Sequence, residues 1–172
     1  MERTINKYRI ASARLKEYDY SNTNWYFVTI NTKDHHEYFG EINSGRMFLN
    51  KLGKIVEGCW KDITKHCSNT ELDYFIIMPN HLHGIIILNS VVETGHAPSL
   101  QKKTHTLGNI VGSFKSAVTK QIHEQGEKHF TWQSRFYDRI IRNERELNAI
   151  RNYIQQNPFQ WELDSDNETL EF

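Results

Sequence analysis

The sequence predicts an α+β fold built on one antiparallel sheet, and three observations predict it. Apolar, β-branched and aromatic residues run at strand-like spacing through "NWYFVTINT" (24–32), "LDYFIIMP" (72–79) and "HLHGIIIL" (81–88). They recur at intervals of three and four in segments that begin near residues 47, 107 and 144. Strand-type and helix-type segments are interleaved, with two strands adjacent in the middle of the chain, an order that antiparallel sheets accommodate.

Each element follows from its residues. The first stretch is apolar at nearly every position, which suits a central strand buried on both faces. A polar, Gly-containing connection comes next. Phe48, Leu52, Ile55, Val56, Cys59, Trp60 and Ile63 then mark an amphipathic helix. "LDYFIIMP" and "HLHGIIIL" are two strands joined at Pro79–Asn80, a hairpin signal. Tyr26 and Tyr74 lie inside these apolar runs and are expected in the core. Residues 89–106 are polar and aperiodic, a loop.

Ile110, Val111, Phe114, Val118 and Ile122 share one helical face, with Gly126 as a stop. "TWQSRFYDRIIR" (131–142) alternates Trp132, Ser134, Phe136 and Asp138 against Gln133, Arg135, Tyr137 and Arg139, the pattern of a strand. The last helix, "ERELNAIRNYIQQNP", carries Leu147, Ile150 and Ile154 on its apolar face and is expected to close at Pro158. The first six elements match the split βαβ, ferredoxin-like order βαββαβ, with the helices on one face of the sheet and the seventh element an added C-terminal helix.

At 172 residues the chain reads as a single domain over 1–172, with an N-terminal extension (1–23) and an acidic tail (162–172). Its opening residues lack the apolar core of a secretory signal, and no apolar run reaches the length of a membrane span. Cys59 and Cys67 suggest neither a disulfide framework nor a metal cluster, so two structural thiols in a cytoplasmic protein are expected.

Formal net charge is zero, yet unevenly spread. The tail carries five acidic residues and no basic one, leaving residues 1–161 at +5. Lys115, Lys120, Arg135, Arg139 and Arg142 fall in a basic region that suits a polyanion, although charge runs are also ordinary solvated faces.

The chemistry-bearing feature is "HLH" (81–83). On a strand, residues two apart point to the same side about 7 Å apart, so His81 and His83 project together while Leu82 packs behind them. Two neutral imidazoles can chelate one divalent cation but cannot fill its coordination sphere. Two locally hydrogen-bonded histidines would give the same pattern.

Four segments, "MPNHLHGIIIL", "LGNIVGSFKSAVT", "FTWQSRFYDRIIRN" and "IRNYIQQNPFQWEL", in this order resemble the REP-associated tyrosine transposases, within the HUH endonucleases. "INKYRIASARLKEYDY" followed by "WYFVTI" resembles them as well, so the likeness spans most of residues 4–163. The resemblance implies a divalent metal, Mg²⁺ or Mn²⁺, a tyrosine nucleophile on the last helix, and single-stranded DNA near a hairpin as substrate. It places the nucleophile at Tyr153 and a ligand at Asn157 beside His81 and His83. Relatives of this kind include monomers and dimers, so a homodimer is one of two arrangements left open.

The residues themselves are compatible with these roles and with plainer ones. Tyr153 borders the apolar face set by Ile150 and Ile154, where a boundary tyrosine is also at home. Tyr137 shares a strand face with Arg135 and Arg139, making it a DNA contact or a second candidate nucleophile. Asn157 lies one turn after Tyr153 and offers a hard oxygen donor, with Gln156 as a substitute. The proline that follows makes Asn157 a candidate helix cap instead. Trp132 reads as core or as a base-stacking ring. Attack of a tyrosine on phosphorus would displace the 3′ oxygen and keep the bond energy in a 5′-phosphotyrosine for rejoining. A ferredoxin-like module that binds single strands without cutting, and a water-using metal phosphodiesterase, are the competing readings.

Overall fold

The computed structural model describes residues 24–89 and 105–168. The expectations for the extension 1–23, for the loop residues 90–104 and for the final residues 169–172 lie outside the described residues.

Four strands form the main sheet: β1 (Asn24–Asn31), β4 (Thr70–Ile77), β5 (His81–Leu88) and β6 (Tyr137–Ile141). A short hairpin, β2 (Gly40–Asn43) and β3 (Arg46–Leu49), precedes helix α1 (Lys51–Lys61) and the single turn α2 (Ile63–His66). Helices α3 (Leu107–Glu124) and α4 (Glu144–Glu168) complete the order. The sheet runs β4-β5-β1-β6 with every pair antiparallel. That is the predicted ferredoxin-like arrangement, with β1 central and the two halves of the chain interleaved across it.

Local chemistry explains the boundaries. Asn50 caps α1 by accepting from the Leu52 and Gly53 amides, and Thr106 caps α3 by accepting from Asn109. Gly126, at φ 103°, ends α3 where the periodicity predicts. Asn143 accepts from the Glu146 amide and Glu146 reaches back to the Arg142 amide, a reciprocal start to α4. The β4–β5 turn at Pro79–Asn80 closes through a Met78 N–H to His81 O bond of 2.8 Å.

Alternation along the strands divides the core. Tyr26, Val28, Ile30, Leu82, Ile86 and Leu88 face α1 and α3, where Trp60, Phe114, Val118 and Trp132 pack on them. Phe27, Ile85 and Ile141 face the other way, onto Leu147, Ile150 and Ile154 of α4. Gly84 is a tight point of the first face, since a Cβ there would stand 2.3 Å from the Trp60 ring. Cys59 and Cys67 are free and buried, and burial raises both thiols. No helix among the described residues is long and apolar enough to cross a membrane.

Four expectations need correction. The connection after β1 contains the β2–β3 hairpin, whose strands are only four residues each and too short to show a period. Only Tyr137–Ile141 of the segment 131–142 is a strand, with Trp132 making a single isolated bridge to Thr32. Tyr74 is 42% exposed, because a register shift between Leu72 and Phe75 turns it out of the core. Helix α4 does not close at Pro158. It continues to Glu168 with the proline inside, so Asn157 is an interior helical residue and not a cap.

Candidate active site

His81 and His83 open β5 on the face that α4 covers. Across the sheet His83 stands opposite Ile76 on one side and Thr29 on the other, with Tyr137 next beyond Thr29. Sheet pairing thus sets the position of His83 from both flanks.

The two Nε2 atoms are 3.1 Å apart. Two facing lone pairs at that distance would repel, and a proton on one Nε2 or a cation between them would relieve the contact. Their outer nitrogens are both anchored. The amide nitrogen of Asn80 donates to the His35 carbonyl at 3.0 Å, which turns its oxygen onto His81 Nδ1 at 2.7 Å. Nδ1 of His81 therefore carries the hydrogen, and Nε2 presents its lone pair inward. Thr29 Oγ1 lies 2.8 Å from His83 Nδ1 and can accept in the same way. The Phe27 ring stacks on His83 with centroids 5.4 Å apart, which fixes the plane of the imidazole.

Burial holds both rings neutral. His83 is pushed down to about 3, by desolvation first and then by the neighbouring His81. His81 is lowered to about 4 by desolvation and by His35, opposed by its hydrogen bond with Asn157. Neutral imidazole is the metal-binding form.

Helix α4 brings three further side chains to this spot at four-residue intervals. The Tyr153 hydroxyl is 3.3 Å from His83 Nε2, and its ring meets Phe27 and His83 edge-on. Asn157, 9% exposed, turns its amide to His81. Trp161 lays its ring 5.6 Å from that of His81. Tyr153 itself is 49% exposed, buried at its inner edge and open to solvent at its outer one.

The donor set fits a divalent cation. Two nitrogens, each roughly 2.1 Å from one ion at a right angle, stand about 3.0 Å apart, close to the observed spacing. No cluster of three or more His, Cys, Asp or Glu side chains occurs among the described residues. Asn157, its amide turned to His81, is a further oxygen donor beside the pair.

The remaining sequence candidates are dispersed. Tyr137 and Arg139 lie exposed on the same sheet face as His83, with Arg139 paired to Glu146. Arg135 is exposed just before β6. Arg142 lies at the far end of the face, in a cleft with Trp25, Leu147 and Arg151. Lys115 and Lys120 are on α3, across the sheet from the histidines, and the structure does not bring them to the pair. The Lys115 ammonium is engaged by the carbonyls of Gln133 and Ser134. Trp132 is buried in the α1/α3 core. Sequence reasoning missed Thr29, Asn80 and Trp161. An anchoring hydroxyl opposite a strand histidine becomes visible only once the register is known.

No family model matches the chain. A protein of Haemophilus influenzae (strain ATCC 51907 / DSM 11121 / KW20 / Rd), described as "Uncharacterized protein", is 40% identical over 162 residues, covering 89% of this chain and 90% of its own. The chain belongs to that protein's family. Among solved structures, a REP-associated tyrosine transposase bound to a REP hairpin aligns with a TM-score of 0.56. The alignment covers 85% of this chain and 74% of that one, at 20% identity. The architecture is thus a transposase-like fold.

Proposed function

We propose that this protein nicks and rejoins single-stranded DNA near hairpins, as a metal-dependent tyrosine transposase of the REP-associated, HUH type. The observation that carries the reading is the meeting of two distant segments: the Tyr153 hydroxyl lies 3.3 Å from a histidine nitrogen that is itself 3.1 Å from a second. The hairpin held by the transposase of similar fold supports the choice of DNA.

His81, His83 and Asn157 would hold Mg²⁺ or Mn²⁺, which supplies charge stabilisation at a phosphate and favours the phenolate. The protein's own residues do the rest. Tyr153 Oη attacks phosphorus, the bond to the 3′ oxygen breaks, and a 5′-phosphotyrosine remains with a free 3′-OH. Reverse attack by a 3′-OH reseals the strand with Tyr153 as leaving group, so no nucleotide cofactor is consumed. Phe27 and Thr29 hold His83 in plane, and Asn80 sets the tautomer of His81. Tyr137 and Arg139 lie where a strand leaving the site would cross the sheet face.

The test is a labelled hairpin with single-stranded flanks, incubated with Mn²⁺ and run under denaturing conditions. A covalent adduct is expected, lost in Tyr153→Phe and in His81→Ala. An adduct that survives Tyr153→Phe would refute the assignment. Cleavage without adduct would indicate the phosphodiesterase, and chelator-insensitive binding without cleavage the non-cutting module.

A further inference from the structure

Helix α4 has a weak point with a clasp beyond it. Pro158 lacks the N–H that would bond the Ile154 carbonyl one turn earlier, so the turn containing Asn157 is short of a helical bond. Four residues later Glu162 reaches sideways to the β2–β3 hairpin. One carboxylate oxygen accepts from the Ser44 N–H at 2.9 Å and the other from the Gly45 N–H at 2.6 Å.

Ser44 and Gly45 are the two turn residues with positive φ, 52° and 67°. Such a turn can direct successive amide hydrogens at one anion. Phe159, one turn before Glu162 on the same side, lies against Gly45, where an added Cβ would come within 3.2 Å of its ring. Trp161 and Asn157 sit on the adjoining side of the helix, and both contact His81. The clasp and the site therefore grip neighbouring sides of the same two turns.

We propose that Glu162 is a positioning residue: by gripping the Ser44–Gly45 turn it holds the helix around Pro158 so that Asn157 and Trp161 stay on His81. The inference rests on reading His81, His83 and Asn157 as a metal-binding set. A carboxylate suits the task better than an apolar contact, because two oxygens on two successive amides fix both the height and the rotation of the helix.

The full-length chain and its Glu162→Ala and Glu162→Gln variants test this by two readouts. The first is the Asn157 side-chain amide signal by NMR, with hydrogen exchange over 157–164, in metal-free protein. The second is Mn²⁺ affinity by electron paramagnetic resonance. In Glu162→Ala the Asn157 signal should move toward that of a free amide and exchange should quicken. Mn²⁺ affinity should fall about tenfold or more, as when an outer partner of a ligand is lost. Glu162→Gln keeps one accepting oxygen and should recover part of each. A wild-type Asn157 signal and wild-type Mn²⁺ affinity in Glu162→Ala, even with a loosened hairpin, would overturn the proposal. If the wild-type chain binds no Mn²⁺, the metal reading fails, and the positioning role is then decided by the metal-free Asn157 signal alone.

Discussion

On the α1/α3 side of the sheet, Val28, Ile30, Leu82 and Ile86 meet Trp60, Phe114 and Val118 in one continuous apolar layer. On the α4 side, Phe27 and Ile85 give way within two residues to Thr29 and His83, and within four to His81. The same two strands build both faces, so residue parity along β1 and β5 separates stability from chemistry. A change at an even position of β5 should cost folding energy, and a change at an odd one near its start should cost the site.

The largest test of that division is Trp60→Ala. Removing a fully buried ring from the first face should destabilise the chain by about 3–5 kcal/mol, measured by urea unfolding. Tyr153→Phe on the second face should stay within about 0.5 kcal/mol. Equal losses would erase the distinction.

Next is Thr29→Val, which keeps the strand shape and removes the anchor on His83 Nδ1. Mn²⁺ affinity by calorimetry should drop roughly 10–100-fold while the unfolding midpoint barely moves. An unchanged affinity would show that Phe27 alone orients the ring.

The pH dependence is smaller and its sign follows from the neutral histidines. An unfolded chain protonates these rings near pH 6.5, whereas the folded one does so only near about 4 and about 3. The unfolded state binds more protons in between, so stability is full above pH 6.5 and falls as pH drops through that window. Metal-free protein should melt several degrees lower at pH 5 than at pH 7, and His83→Gln should flatten the profile. A flat wild-type curve would mean that the rings are solvated.

Arg139→Ala should have the least effect on the fold, because its guanidinium is exposed and its ion pair with the partly covered Glu146, at the surface, is worth about 1 kcal/mol or less. Its consequence belongs to the site face: the slope of hairpin affinity against salt should shrink by about one unit. A parallel curve would remove Arg139 from the DNA path.

Much of this organisation was legible in the sequence because it rests on period. Two-residue alternation placed His81 and His83 together and Leu82 behind them, and four-residue spacing put Tyr153 and Asn157 on one side of a helix. What period does not encode was missed. The hairpin strands are too short, the bulge in β4 overrides parity at Tyr74, and α4 continues past Pro158 while Phe159 and Glu162 pack on a turn more than a hundred residues earlier in the chain. Thr29 and Asn80 matter only through partners chosen by register and by a turn, neither of which a linear pattern records.

The place of β1 in the sheet also has a consequence in time. It is the earliest of the described strands, yet its neighbours are residues 81–88 and 137–141, and the helix over its functional face follows both. Pairings of such long range are slow to form. A growing chain therefore carries the histidine pair for some seventy residues of synthesis before the tyrosine exists, and the two meet only when the sheet has gained its last strand. The histidine–tyrosine site, on this topology, arrives with the finished fold and in no partial product before it.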